Sequence, residues 1–453
     1  MKSSIINNRF IFIVFLLVLT FHPNYSAEIL YDNNISLIDI TIDKDSEQDL
    51  REAVKFLNKN GGTIYIDTPV ININIDSPIE LMGEFSGGII GKKQSNNEYP
   101  RIDFKKVRDK FDSKSISQAM ISIKGSNKFL KYLIIENSAS YGINISGNKT
   151  TLDHIITRYN NFPGISLYKT KDTTLNYCYS YRNLGKNSNG KLGTGFAVDL
   201  GSSSNVIFKY CFAWDNSNDG WLSFIYNGQT DRSESVSFLH SGGWNNGNLD
   251  VFTGKYDYDK GKALDKNLWS VEELISSDEN FETNYKNKNF NIDNGKINGI
   301  NAKEWIAKSK GYIDGNGFEF QSVNTLDIQN SKRVFDYSTV FDNKSRGFNN
   351  NKNYKCNGYF TNCVSFNNNV NYQSSYNFVK WLNNWSWGSK KNDQIDIDVI
   401  VKKPSNSNSA QKLFYSVRDQ IIKTATSNKF NDNLNFDNPI KKLNYSKHEY
   451  QKN

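Results

Sequence analysis

TTLDHIITRYN (residues 150–160) is followed by TTLNYCYSYRN (173–183), VIFKYCFAWDN (206–216) and VSFLHSGGWNN (236–246), and later by RVFDYSTVFDN (333–343) and GYFTNCVSFNN (358–368). Leu152, Leu175, Phe208 and Phe238 fall 23, 33 and 30 residues apart, and Phe335 and Phe360 are 25 apart. Self-similarity at that spacing is the signature of stacked coils. A single coil of short strands cannot bury its apolar face alone, so neighbours must stack. Parallel strands of successive coils pair about 4.8 Å apart and set corresponding side chains in columns. The expected fold is all-β, a right-handed parallel β-helix with Phe208, Phe238, Phe335 and Phe360 in its core.

The column picture assigns ordinary roles to several conspicuous residues. Cys178, Cys211 and Cys363 share one repeat position with Ile155, Ser241 and Ser338, so they read as buried unpaired thiols rather than disulfides, with Cys356 outside the pattern. Trp214 and Trp244 are equivalent and read as a core stack. Asn183, Asn216, Asn246, Asn343 and Asn368 end their units and suit a ladder of amides in left-handed turns, bonded along the stack. His154 and His240 have no partner at metal-ligand spacing.

Around the repeats the chain is organised simply. Lys2 and Arg9 precede an apolar run from Ile11 to Thr20, with small Ser26 and Ala27 after it, so residues 1–27 read as a secretory signal and the mature protein as extracellular. That run is shorter than the roughly 20 residues a membrane span needs. Removing residues 1–27 takes the formal charge from +8 to +6, because two basic residues and no acid leave. A mean hydropathy of -0.62 predicts a soluble chain. In DSEQDLREAVKFLNKNGGTIYID, Ser46 is a helix cap, and Leu50, Ala53, Val54 and Leu57 share one helix face. Gly61 and Gly62 then lead into an alternating strand, so the helix reads as a plug on the solenoid. The β-helix is expected over 28–402, with a partly helical insertion at 256–310 and a polar tail at 403–453 that holds one helix near 409–425.

A second grammar recurs as GTGFAVD, NDGWLSF, IDGNGFEFQS and SRGFNNN: a Gly, a large aromatic, then a residue that must point the other way. Those residues are Ala197, Leu222, Glu319 and Asn349, and alternation places all four on the outer face of the coils. GTGFAVDLGSSSNVIFKYCFAWDNSNDGWLSF, then DGNGFEF, then NKSRGFNNN resemble the successive signatures of the pectate lyases of polysaccharide lyase family 9, over most of residues 40–390.

The resemblance implies a parallel β-helix and β-elimination on polygalacturonate, an acidic plant cell-wall polysaccharide. That chemistry uses calcium held by aspartates to neutralise the uronate carboxylate, and a neutral lysine to remove the neighbouring proton. Carried over, the aspartate of the family's DGF falls at Thr194, those of DDGWD fall at Asn218, Asp219 and Leu222, and the lysine of NGFK falls at Glu319. Only Asp219 keeps its type. Leucine offers calcium no oxygen, and a carboxylate is a weaker base than an amine by about 6 pKa units. The sequence therefore predicts a secreted, lyase-like β-helix that engages acidic polysaccharide with weak or lost calcium-dependent elimination, and calcium binding that is weak or absent. An active pectate lyase, a hydrolase using Asp219 and Glu319 as acid and base, and a structural surface protein stay open as alternatives. A monomer is expected, with neither nucleic acid nor membrane as partner.

Overall fold

A computed structural model describes residues 26–32, 35–108, 117–185, 192–199, 203–224, 235–248, 251, 292–293, 296–297, 300–301, 314–320, 332–350, 357–374, 377–395 and 401–444. The signal reading falls almost wholly outside them, as does Cys356, and of the insertion expected at 256–310 only residues 292–293, 296–297 and 300–301 are described, as short antiparallel strands.

At the N-terminal end the helix Glu47–Asn60 forms as its pattern predicts. The Ser46 hydroxyl caps it by accepting from the Asp49 N–H, and Leu50, Ala53, Val54 and Leu57 are buried. Gly61 ends it at φ 77°, where only Gly sits without strain. The strand Gly62–Ile66 follows, with Ile64 and Ile66 inward. Two antiparallel strands, Ser26–Asp32 and Ile35–Ile42, precede the helix, and the second pairs with Gly62–Ile66 as the first parallel rung.

Beyond this end the chain is a parallel β-helix. One ten-stranded sheet runs from Ile79–Leu81 to Gln394–Ile395, and its neighbours pair in parallel throughout. The repeats form the other faces in the expected register: Leu152 pairs with Leu175, Leu175 with Phe208, Phe208 with Phe238, Phe238 with Phe335 and Phe335 with Phe360. Inside, those four phenylalanines stack at 5.3, 5.0 and 4.5 Å. Across the core, Phe196, Trp221, Phe318, Phe348 and Tyr372 form a second stack, and Trp221 meets Phe208 edge-on at 4.9 Å. Offset and T-shaped ring pairs are the favoured aromatic geometries, so the core gains directed contacts beyond area burial.

The packing also explains why Gly precedes Phe196, Trp221, Phe318 and Phe348. A Cβ on Gly195 would lie 2.6 Å from the Gly220 carbonyl oxygen, and one on Gly317 would lie 2.7 Å from that of Gly347. The next coil's backbone occupies the space a side chain would need. Gly at this position brings the coils together and so fixes the residues on either side of it.

Two columns differ from the sequence reading. The asparagine ladder exists and is longer than expected, running from Asn160 through Asn183, Asn216, Asn246, Asn343 and Asn368 to Asn371, each Nδ2 donating to the next Oδ1 at 2.9–3.0 Å. Its asparagines, however, are not the left-handed residues. Positive φ falls one place earlier, at Arg182, Asp215, Asn245, Asp342 and Asn367, and that turn swings each ladder amide into the interior. Trp214 and Trp244 do stack, at 5.1 Å, but they point out of the solenoid. With Tyr181, Phe341, Phe366 and Trp387 they form a stripe that the C-terminal helix Ser407–Thr426 covers with Ala410, Phe414, Ile421 and Ala425. The chain thus has a second core, between the β-helix and the segment that reads as a polar tail.

Cys178, Cys211 and Cys363 are buried free thiols. His154 and His240 belong to an aromatic ladder in a left-handed turn: His154 stacks between Tyr132 and Tyr177, and His240 between Tyr210 and Tyr337. Their ring nitrogens face Asp153 and Asp432, and Asp437, so they pin the C-terminal segment to the solenoid.

Candidate functional site

The site is built from two columns of the ten-stranded sheet and its leading turn. Thr194, Asp219 and Asn316 each stand immediately before a Gly-aromatic pair, and the coils are joined there by bonds from Gly195 N–H to the Asp219 carbonyl and from Gly220 N–H to that of Asn316. The outer column is Ala197, Leu222, Glu319 and Asn349 in direct register, continued by Gln373. The sequence placed the first four correctly on one face.

That face is not open at this point. Glu319 is 2% exposed and Asn349 3%, while Asp219 and Asn316 are fully buried. Asp219 and Glu319 come together, and a third acid joins them that sequence reasoning missed, Asp314: one carboxylate oxygen from each lies within 4.8 Å of the others.

Asn316 organises the cluster. Its backbone N–H donates to Asp219 Oδ1 at 2.6 Å and its Nδ2 to the same atom at 3.1 Å, and Nδ2 also donates to Glu319 Oε2. Asn218 completes the frame, with Nδ2 donating to Asp219 Oδ2 at 3.0 Å and Oδ1 accepting from the Asp314 N–H at 3.0 Å. The Arg346 N–H holds Asn316 Oδ1 in place at 3.1 Å. A signal for Asn316 existed: it occupies in IDGNGFEF the place that Thr194 and Asp219 occupy in their own coils. Asp314 lies before that alignment, and only the Gly315 turn, at φ 68°, brings it back.

Burial first, then the charges of Glu319 and Asp314, push the Asp219 carboxyl well above the ordinary carboxylate range. The Asn316 N–H opposes this and a carboxyl–carboxyl hydrogen bond with Glu319 reinforces it. Such a bond needs a proton between the two oxygens. The cluster can therefore be held together by protons or by a cation.

The calcium positions that the resemblance implies can be tested on these atoms. Leu222 supplies no oxygen, and Asn218 is committed to Asp219 and Asp314, while Thr194 Oγ1 is buried with no hydrogen-bond partner. As a set, Thr194, Asn218, Asp219 and Leu222 hold one charge and do not fit a divalent ion. Asp219, Asp314 and Glu319 do fit: oxygens about 2.4 Å from one calcium ion stand at most about 4.8 Å apart. Asp219 and Glu319, read also as a hydrolytic acid–base pair, are both buried with oxygens within 4.8 Å of each other, near the short end of the about 5 to 9.5 Å at which glycosidase carboxylates stand.

The fold has a counterpart among known proteins. Residues 39–263 match the family described as Pel9A-like, right handed beta helix region, a stretch that includes Thr194, Asn218, Asp219 and Leu222 and ends before Glu319. Over those residues the chain is similar to the Pel9A-like right-handed β-helix proteins, and so to polysaccharide lyase family 9. Pectate lyase L of Paenibacillus polymyxa (strain SC2) is 23% identical over 283 residues, 60% of this chain and 62% of that protein, so the chain spans less than two thirds of that relative. The crystal structure of pectate lyase Pel9A matches at 19% identity with a TM-score of 0.47, over 74% of this chain and 70% of that one. PfbA, a surface adhesin of Streptococcus pneumoniae, matches at 12% identity and a TM-score of 0.38, over 81% and 90%. Likeness at that level says nothing of chemistry.

Proposed function

We propose that this chain is an exported β-helix that engages acidic, polygalacturonate-type polysaccharide and has lost lysine-based β-elimination. The observation that carries the reading is Glu319. In the outer column it stands where the resemblance puts the base, yet it is a buried carboxylate tied to Asn316 and to Asp219. An amine base acts by becoming neutral beside a uronate, whereas an anion there repels it. Engagement of polysaccharide is supported by the Pel9A-like match and by the pectate lyase relative. Lysine at this position would not restore the reaction by itself, because Asp219 and Asp314 beside it favour the protonated ammonium.

The test uses the purified chain on polygalacturonate, alginate and a neutral glycan, with and without calcium. Retention on polygalacturonate without products is expected, for the natural protein and for Glu319→Lys alike. New ultraviolet absorbance from unsaturated uronates, abolished by chelator, would mean that elimination survives. New reducing ends without that absorbance would mean hydrolysis, and absence of retention on every glycan would remove the reading.

A further inference from the structure

The two ends of the solenoid interior are closed differently. At the N-terminal end the apolar face of the helix Glu47–Asn60 packs into the inner core. Toward the other end one inward column runs from Ala213 through Gly243, Val340 and Ser365 to Ser386. A parallel bridge from Trp385 to Lys402 makes residues 401–403 the next rung, with the Ser386 N–H donating to the Lys402 carbonyl and the Lys402 N–H to that of Asn384, each at 2.9 Å. Register therefore carries the column from Ser386 to Lys403.

Ser386 and Val401, which are buried, belong to the lining of a cavity of about 170 Å³ at this end. Ser389, Asp393 and Lys403 are half-buried around it, and Asn392 and Gly388 are exposed at its mouth. Asp393 is held in place: its Oδ1 accepts the Asn371 N–H at 3.2 Å and the Tyr372 N–H at 3.0 Å, so the asparagine ladder ends against a carboxylate. Burial raises the Asp393 carboxyl, and the Ser386 hydroxyl, those two N–H groups and Lys403 act against it. The lining thus carries one acid and one base beside each other. An apolar cavity of about 150 Å³ holds a benzene ring, so this one has room for one six-membered ring. An anion entering it meets Asp393 and a cation meets Lys403, whereas hydroxyls donate to the one and accept from the other.

We propose that this end cavity binds one neutral sugar unit, the terminal residue of a glycan, with Asp393 accepting from its hydroxyls and Lys403 donating to them. Ser389 and Asn392 offer further groups that pair with hydroxyls, and Trp387 and Val401 give the C–H face of the ring an apolar wall. The exposed mouth at Gly388 and Asn392 leaves a path for the next unit of the chain. Asn371 is a positioning residue, because its N–H fixes Asp393. Three rungs of the ten-stranded sheet, through Asn349 and Gln373 to Gln394, separate Glu319 from this end. The site therefore shares no residue with the acid cluster and does not rest on the function proposed above.

Galactose, glucose and arabinose titrated into the purified full chain, with galacturonate beside them, test the site by saturation-transfer NMR and calorimetry. At least one neutral sugar is expected to bind at millimolar concentration, and galacturonate several-fold more weakly. Asp393→Asn, which keeps the shape of the side chain, and Asn392→Trp, which fills the mouth, are each expected to weaken binding at least tenfold with unchanged circular dichroism. Asp67→Asn, on the exposed surface near the opposite end, should leave it unchanged. Absence of saturation transfer to every neutral sugar would overturn the proposal. So would binding that survives either Asp393→Asn or Asn392→Trp, or galacturonate bound as tightly as the neutral sugars. Retention of Asn392→Trp on polygalacturonate should equal that of the natural protein, which tells a failed end cavity from a failed polysaccharide reading.

Discussion

Replacing Glu319 by glutamine should stabilise the protein at alkaline pH and leave it nearly unchanged in acid. The substitution keeps the shape of a side chain only 2% exposed and removes one charge from the cluster. Two unit charges 4.8 Å apart repel by about 3.5 kcal/mol at an effective permittivity of about 20. The natural protein avoids part of that by keeping a proton on Asp219, whose carboxyl is pushed well above its ordinary 3.8. The stability carried by that retained proton is fully present below the unfolded value. It is lost as pH rises through the folded one. In Glu319→Gln the second charge is gone and the Asp219 carboxyl moves back down, so the loss flattens. With chelator present, urea unfolding at pH 8 should favour the variant by about 2 to 3 kcal/mol, and at pH 4 the two proteins should agree within about 0.5 kcal/mol. An equal difference at both pH values would refute a charge-based account. A variant less stable than the natural protein at pH 8 would mean that Glu319 is needed as an anion.

Truncating the ladder, Asn216→Ala, strands the Asn183 N–H and the Ser180 carbonyl in the interior and should cost about 3 to 5 kcal/mol in urea; a loss under about 1 kcal/mol would mean the ladder is ornamental. Phe414→Ala opens a cavity against Phe366 and Phe436 and should cost about 3 to 5 kcal/mol with a red shift of tryptophan emission, and an unshifted spectrum would place the aromatic stripe's cover elsewhere. His154 is drawn down by burial, but Asp153 and Asp432 outweigh this and raise it above 6.5. The anchoring of the C-terminal segment should therefore be fully present below that value and weaken as pH rises through the raised one. Limited proteolysis near residue 430 should show it, and Asp432→Asn should remove the pH dependence.

Much of this protein is legible in its sequence because a solenoid is local order repeated. The register of Leu152, Leu175, Phe208, Phe238, Phe335 and Phe360 follows from spacing alone, since each coil must present the same inward position to its neighbour. The outer column of Ala197, Leu222, Glu319 and Asn349 follows in the same way, and so does the capped helix at Glu47–Asn60, whose signals all lie within 15 residues. What the sequence could not supply are contacts between segments that no repeat relates. Trp214 and Trp244 look like interior residues because they are apolar and periodic, but they belong to a second core that exists only once residues 407–440 fold back over them. Asp314 sits outside the repeating pattern and joins Asp219, 95 residues earlier, because the next coil's turn carries it there. Whether Glu319 is exposed or buried was likewise decided by tertiary structure: alternation fixes which face a side chain takes, and burial depends on what else arrives at that face.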